Sequence, residues 1–74
     1  MPHIAVTMYP GRDDGLKKKL ALELKRTVVD VLGADPKVVS VSVQDVAPEK
    51  WAENIAGFPE ETVFMPAGEE LPEK

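Results

Sequence analysis

The sequence predicts an α/β fold: one βαβ unit with two parallel strands and one long helix, its sheet completed by further copies of the chain. Three observations carry this. Ile4, Val6 and Met8 alternate with His3, Ala5, Thr7 and Tyr9, which is the period of a strand. Leu16, Leu20, Leu24, Val28, Val31 and Leu32 recur at three- and four-residue spacing, which is the period of an amphipathic helix. Val39, Val41 and Val43 then alternate with Ser40, Ser42 and Gln44, a second strand over Val39–Val46. A helix between two strands requires parallel pairing and a right-handed crossover.

Each element has its own start and stop signals. Pro10-Gly11 ends the first strand. Asp13 is a favourable N-cap, and Asp14 sits well at the positive end of the helix dipole. The helix is expected over residues 14–32, with Lys17, Lys18, Glu23, Lys25, Arg26 and Asp30 mostly on the solvated face. Gly33 suits a left-handed stop. Asp35-Pro36 reads as a cap followed by a first-turn proline. Pro48 to Glu53 fits a short helix with proline in its first turn, broken by Gly57 and Pro59. Thr62 to Met65 fits either a short strand or the end of a helical turn. Pro66-Ala67-Gly68 is a turn, and Glu69 to Lys74 is an acidic tail expected to be mobile at its end.

Size sets the association state. A chain of 74 residues is one domain at most. The helix covers one face of a two-stranded sheet, and the chain has nothing else large enough to cover the other. Two strands alone are marginal, so a second copy is the natural cover. The lack of cysteine removes disulfides and thiolate metal sites from the account and is compatible with a cytoplasmic protein. No run approaches the roughly 18 apolar residues of a membrane span, and no signal peptide is legible. The net charge of −4 argues against a nucleic-acid partner. No His/Asp/Glu set has metal-ligand spacing and no glycine-rich phosphate loop occurs, so no metal and no cofactor are expected.

The opening residues carry the chemistry. Pro2 follows the initiator methionine, which methionine aminopeptidase normally removes ahead of a proline. Pro2 would then present a secondary amine. Together with the strand Ile4 to Met8, the turn Gly11-Arg12-Asp13-Asp14, the long helix, the second strand and Trp51, this start resembles the 4-oxalocrotonate tautomerase family. The stretch Val43-Gln44-Asp45-Val46-Ala47-Pro48-Glu49-Lys50-Trp51 is most similar to its dimeric bacterial branch. The resemblance spans residues 2–51 of a single domain, with 52–74 as a divergent tail.

The resemblance implies a cofactor-independent keto–enol tautomerase acting on a 2-oxo or enol carboxylic acid. Pro2 would be the general base and acid, since an amine near neutrality suits proton transfer. Burial and a nearby cation lower the pKa of such a group, and Pro2 is expected beside Arg12 and an aromatic wall, where it would receive both effects. Arg12 would bind the substrate carboxylate through its guanidinium fork, often in a pocket completed by a neighbouring subunit. Trp51 matches the aromatic wall, and as the only tryptophan it also suits a core or interface. Ser40 falls where the family prototype has a second arginine, which points to substrates with a single carboxylate. His3 has no evident partner and reads as a polar-face strand residue, and Tyr9 as a pocket-lining one. Two alternatives stand beside this reading. One is a dehalogenase or hydratase using the same proline, with Asp45 or Glu49 to activate water. The other is a catalytically silent oligomerisation or small-ligand-binding module.

Overall fold

The computed structural model describes residues 1–72. Strand β1, His3–Met8, is followed by helix α1, Asp14–Leu32, and strand β2, Ser40–Asp45. The two strands pair in parallel, with His3 opposite Ser40 and Met8 opposite Asp45. The ladder runs one residue beyond each strand: the Ser40 N–H donates to the Pro2 carbonyl at 3.2 Å and the Val46 N–H to the Met8 carbonyl at 2.8 Å. This is the βαβ unit expected from the alternating and helical periods.

The caps explain where α1 begins and ends. Asp13 accepts from the Leu16 N–H at 2.8 Å, satisfying one of the donors the first turn leaves free. Gly33 takes φ 66°, a left-handed conformation that a Cβ would penalise, and its N–H bonds the Val29 carbonyl. Asp35 caps the 3-10 turn Pro36–Val38 by accepting from the Lys37 N–H. The chain then enters β2 through Val39, which is 5% exposed and with Val46 forms the best-buried part of the core.

The helix packs less of its apolar stripe than the spacing predicts. Leu20, Ala21, Leu24 and Val28 are partly covered, whereas Val31 is 76% exposed and Leu32 64%. Length accounts for this. Nineteen helical residues at about 1.5 Å each outrun six strand residues at about 3.3 Å each, so the helix overhangs the sheet. Lys17 also departs from the expected solvated face. It lies across the sheet edge with its Nζ 2.9 Å from Asp45 Oδ2.

Beyond β2, a 3-10 turn at Pro48–Lys50 leads into helix α2, Trp51–Ala56. The proline-started helix is therefore present, and it runs to Ala56. Thr62 to Met65 forms no strand: a 3-10 turn spans Glu60–Thr62 and the chain then bends. The turn expected at Pro66-Ala67-Gly68 is present. Of the acidic tail, Glu73 and Lys74 lie outside the described residues.

Candidate active site

The parallel register gives the sheet two different faces. Ile4, Val6 and Met8 share one face with Val41, Val43 and Asp45, and α1 packs there. His3, Ala5 and Thr7 share the other with Ser40, Ser42 and Gln44. This open face is polar and small in its side chains, and at its far end Asn54 of α2 donates to the Thr7 hydroxyl at 3.0 Å.

Pro2 stands at the start of the sheet. Its carbonyl is anchored by Ser40, so its position is set by the ladder, while its nitrogen lies outside the ladder. Met1 ahead of it is fully exposed. Ser40 is thus the strand neighbour of both Pro2 and His3, and its hydroxyl lies 2.7 Å from His3 Nδ1. His3 Nε2 lies 3.0 Å from the Ser42 hydroxyl. The histidine read as unpartnered from the sequence therefore bridges two serines. The signal lay in the alternation of both strands, but it becomes legible only once the register is known.

Arg12 and Trp51 belong to the opposite end. Gly11, at φ 130°, turns the chain out of β1 in a conformation open only to glycine. Arg12 then lines a small cleft of about 220 Å³ with Met8, Leu16, Lys17 and Leu20. Trp51 packs edge-on against Tyr9, which follows β1. Six strand residues at about 3.3 Å each put roughly 20 Å between this end and Pro2. One chain therefore brings together Pro2 and Ser40, and separately gathers Arg12 and Trp51 at the other end.

Residues past the second strand add an apolar cavity that the sequence did not reveal. Trp51, Ile55, Phe58, Val63, Met65 and Pro66 line a space of about 590 Å³, within the range of small-molecule pockets. Asp45 lies on the helix-covered face and is engaged by Lys17. Glu49 lies exposed in the turn before α2. Among the described residues no group of acidic and imidazole side chains has the arrangement of a metal site, and no helix is long and apolar enough to cross a membrane.

A βαβ subunit of this size, with a proline at the head of its first strand and an arginine just past its end, has the architecture of a small tautomerase. The comparisons with known proteins agree. A family model described as "Tautomerase enzyme" matches residues 2–55, a span that begins at Pro2 and contains Arg12, Ser40 and Trp51. The chain is 45% identical over 71 residues to a "Probable tautomerase" of Xylella fastidiosa, covering 96% of this chain and 82% of that one. It is 39% identical over 57 residues to the tautomerase PptA of Cronobacter sakazakii, covering 74% of each. Its structure matches that of TomN, a 4-oxalocrotonate tautomerase homologue in the tomaymycin biosynthetic pathway, with a TM-score of 0.64 and 30% identity over 76% of this chain and 97% of TomN. The chain belongs to the tautomerase family, a family of isomerase-class enzymes.

Proposed function

We propose that the chain is a cofactor-independent keto–enol tautomerase of 2-oxo or enol carboxylic acids, with the Pro2 amine as its proton carrier after removal of Met1. The observation that carries this reading is the family match beginning at Pro2. The anchored Pro2 carbonyl and the exposed Met1 support it. The neutral amine takes a proton from one position of the substrate, leaving an enolate-type anion. The ammonium then returns a proton to another position. The net change is an isomerisation that needs no oxidant and no co-reactant. Arg12 holds the carboxylate throughout by charge-assisted hydrogen bonds.

The separation of Pro2 from Arg12 and Trp51 gives oligomerisation a catalytic purpose. A strand about 20 Å long cannot bring both ends to one small substrate. In this proposal the arginine and the aromatic wall beside a given Pro2 come from a second copy, as a homodimer or a higher homo-oligomer. The incomplete sheet fits such assembly. The dehalogenase or hydratase alternative gains nothing from Asp45, whose carboxylate faces the helix and Lys17.

The test joins two measurements on one preparation: the mass of the amino terminus and the rate of enol ketonisation. The expected result is a mature chain starting at Pro2 that ketonises an aryl 2-oxo acid enol. A chain that retains Met1 and leaves the enol untouched would favour a silent binding module.

A further inference from the structure

Helix α2 is too short to hold its own place. Six residues fall far below the length at which an isolated helix is stable in water, so tertiary contacts decide where it lies. Its N-cap residue, Lys50, makes no side-chain capping bond. Among the described residues α2 makes broad contact with no element except the 3-10 turn that leads into it. Two side-chain contacts join it to the end of β1. Trp51 meets Tyr9 edge-on, and Asn54 Nδ2 donates to the Thr7 hydroxyl at 3.0 Å.

The spacing of these four residues turns two contacts into a two-point dock. Trp51 and Asn54 are three residues apart on a helix and so share one face. Thr7 and Tyr9 are two apart at the end of β1 and so project to one side. An edge-on ring contact alone leaves a short helix free to pivot about the ring. A hydrogen bond demands both distance and direction, so the Asn54–Thr7 bond removes that pivot. Both residues are partly buried. The bond lies within one chain and needs no access from solvent. A second copy laid over the Thr7 face would therefore shield it from water, which strengthens a hydrogen bond.

We propose that Asn54 is a positioning residue of the active site: through Thr7 it fixes the pivot of α2 and thereby the place of the Trp51 ring. The inference rests on the tautomerase reading above, in which that ring is the wall met by the apolar part of the substrate. Asn54 itself touches neither the substrate nor Pro2 in this scheme. A wall that holds the substrate equally in the ground and transition states acts on KM and leaves kcat alone. Loss of the Asn54–Thr7 bond should therefore appear in KM.

The experiment uses three variants of the full chain. Thr7→Val and Asn54→Leu each remove the bond with a side chain of similar shape, and Thr7→Ser keeps the hydroxyl. KM for phenylpyruvate enol should rise roughly 3- to 10-fold in the first two, the range of one neutral hydrogen bond. Their kcat should stay within about twofold of the wild type, and Thr7→Ser should behave as the wild type. The double variant should raise KM no further than either single change, since both remove the same bond. Unchanged KM in both variants, a loss confined to kcat, or effects that multiply in the double variant would each overturn the proposal. A second measurement stands apart from catalysis. Trp51 is the only tryptophan in the protein, so its fluorescence reports on this ring alone. Quenching by acrylamide should increase in Thr7→Val and Asn54→Leu and not in Thr7→Ser, at a concentration where sedimentation gives all of them the wild-type association state. Equal quenching throughout would overturn the positioning role. Increased quenching in a protein that turns over no enol would uphold it and count against the tautomerase reading alone.

Discussion

Tyr9 and Trp51 meet edge to face, with ring centroids 5.2 Å apart and planes at 89°. This contact ties the end of β1 to the start of α2, elements that are otherwise joined through the Asn54–Thr7 hydrogen bond. An edge-to-face pair is worth about 0.5–1.5 kcal/mol beyond the area it buries. A double-mutant cycle with Tyr9→Leu and Trp51→Leu should return a coupling in that range by urea denaturation. Additive effects would mean that the rings touch without supporting each other. Trp51→Leu should also lower kcat/KM, because the same ring forms the proposed wall.

Pro2 yields the most direct prediction about activity. Pro2→Ala leaves a primary amine at the same place, so enol ketonisation should fall but persist. One extra residue ahead of Pro2 turns the nitrogen into an amide and should abolish it. Full activity in the extended chain would take the amine out of the mechanism.

How far the sequence leads depends on how local the determining physics is. Asp13 and Gly33 mark the ends of α1 because capping involves only nearby backbone groups, and the helix occupies residues 14–32 as its pattern predicts. The strands are legible from alternation for the same reason, give or take a residue at each end. What is not legible depends on pairing. Whether His3 has a partner depends on whether Ser40 or Val39 stands opposite, and a slip of one residue would place valine there. The tail after Gly57 has no sustained period, so neither its 3-10 turn nor its part in the cavity around Trp51 could be read ahead. Strand length sets Arg12 and Pro2 at opposite ends of the sheet, so a single chain does not place them side by side as the sequence reading expected.

The exposed helix overhang predicts concentration-dependent stability. Among the described residues Val39 and Val46 are the buried apolar ones, while Val31, Leu32 and Leu22 are largely or half exposed. A core this small stabilises a lone subunit poorly. The unfolding midpoint should rise with protomer concentration, as mass action requires of an obligate oligomer. Sedimentation at low micromolar concentration that showed a folded 8.1 kDa monomer would contradict this.

Asp45 separates tautomerisation from water-activating chemistry. Its pairing with Lys17 is partly solvated, with the two side chains 39% and 20% exposed, so the pair should contribute about 1 kcal/mol or less. Asp45→Asn is expected to lower stability by no more than that and to leave ketonisation within about threefold, a change worth roughly 0.7 kcal/mol at 1.4 kcal/mol per decade. A much larger loss of turnover at unchanged stability would return Asp45 to the list of catalytic candidates.

Ser40 gives the sharpest statement about substrate choice. Beside Pro2 the second strand offers the Ser40 hydroxyl in place of a guanidinium. Arg12 pairs with one carboxylate, a charge-assisted interaction of roughly 1.5–3 kcal/mol. A second carboxylate brought against a neutral site is desolvated without a counter-charge, which is costly. An aryl ring meets no such penalty and gains apolar contact with Trp51. Phenylpyruvate enol should therefore exceed a dicarboxylate dienol in kcat/KM, by roughly 10- to 100-fold. Ser40→Arg places a permanent cation beside His3 and should reverse the order, because a guanidinium does not titrate near neutrality. A wild-type enzyme that favours the dicarboxylate tenfold or more would mean that another cation, Lys37 or Lys50 from this or a second copy, reaches the site.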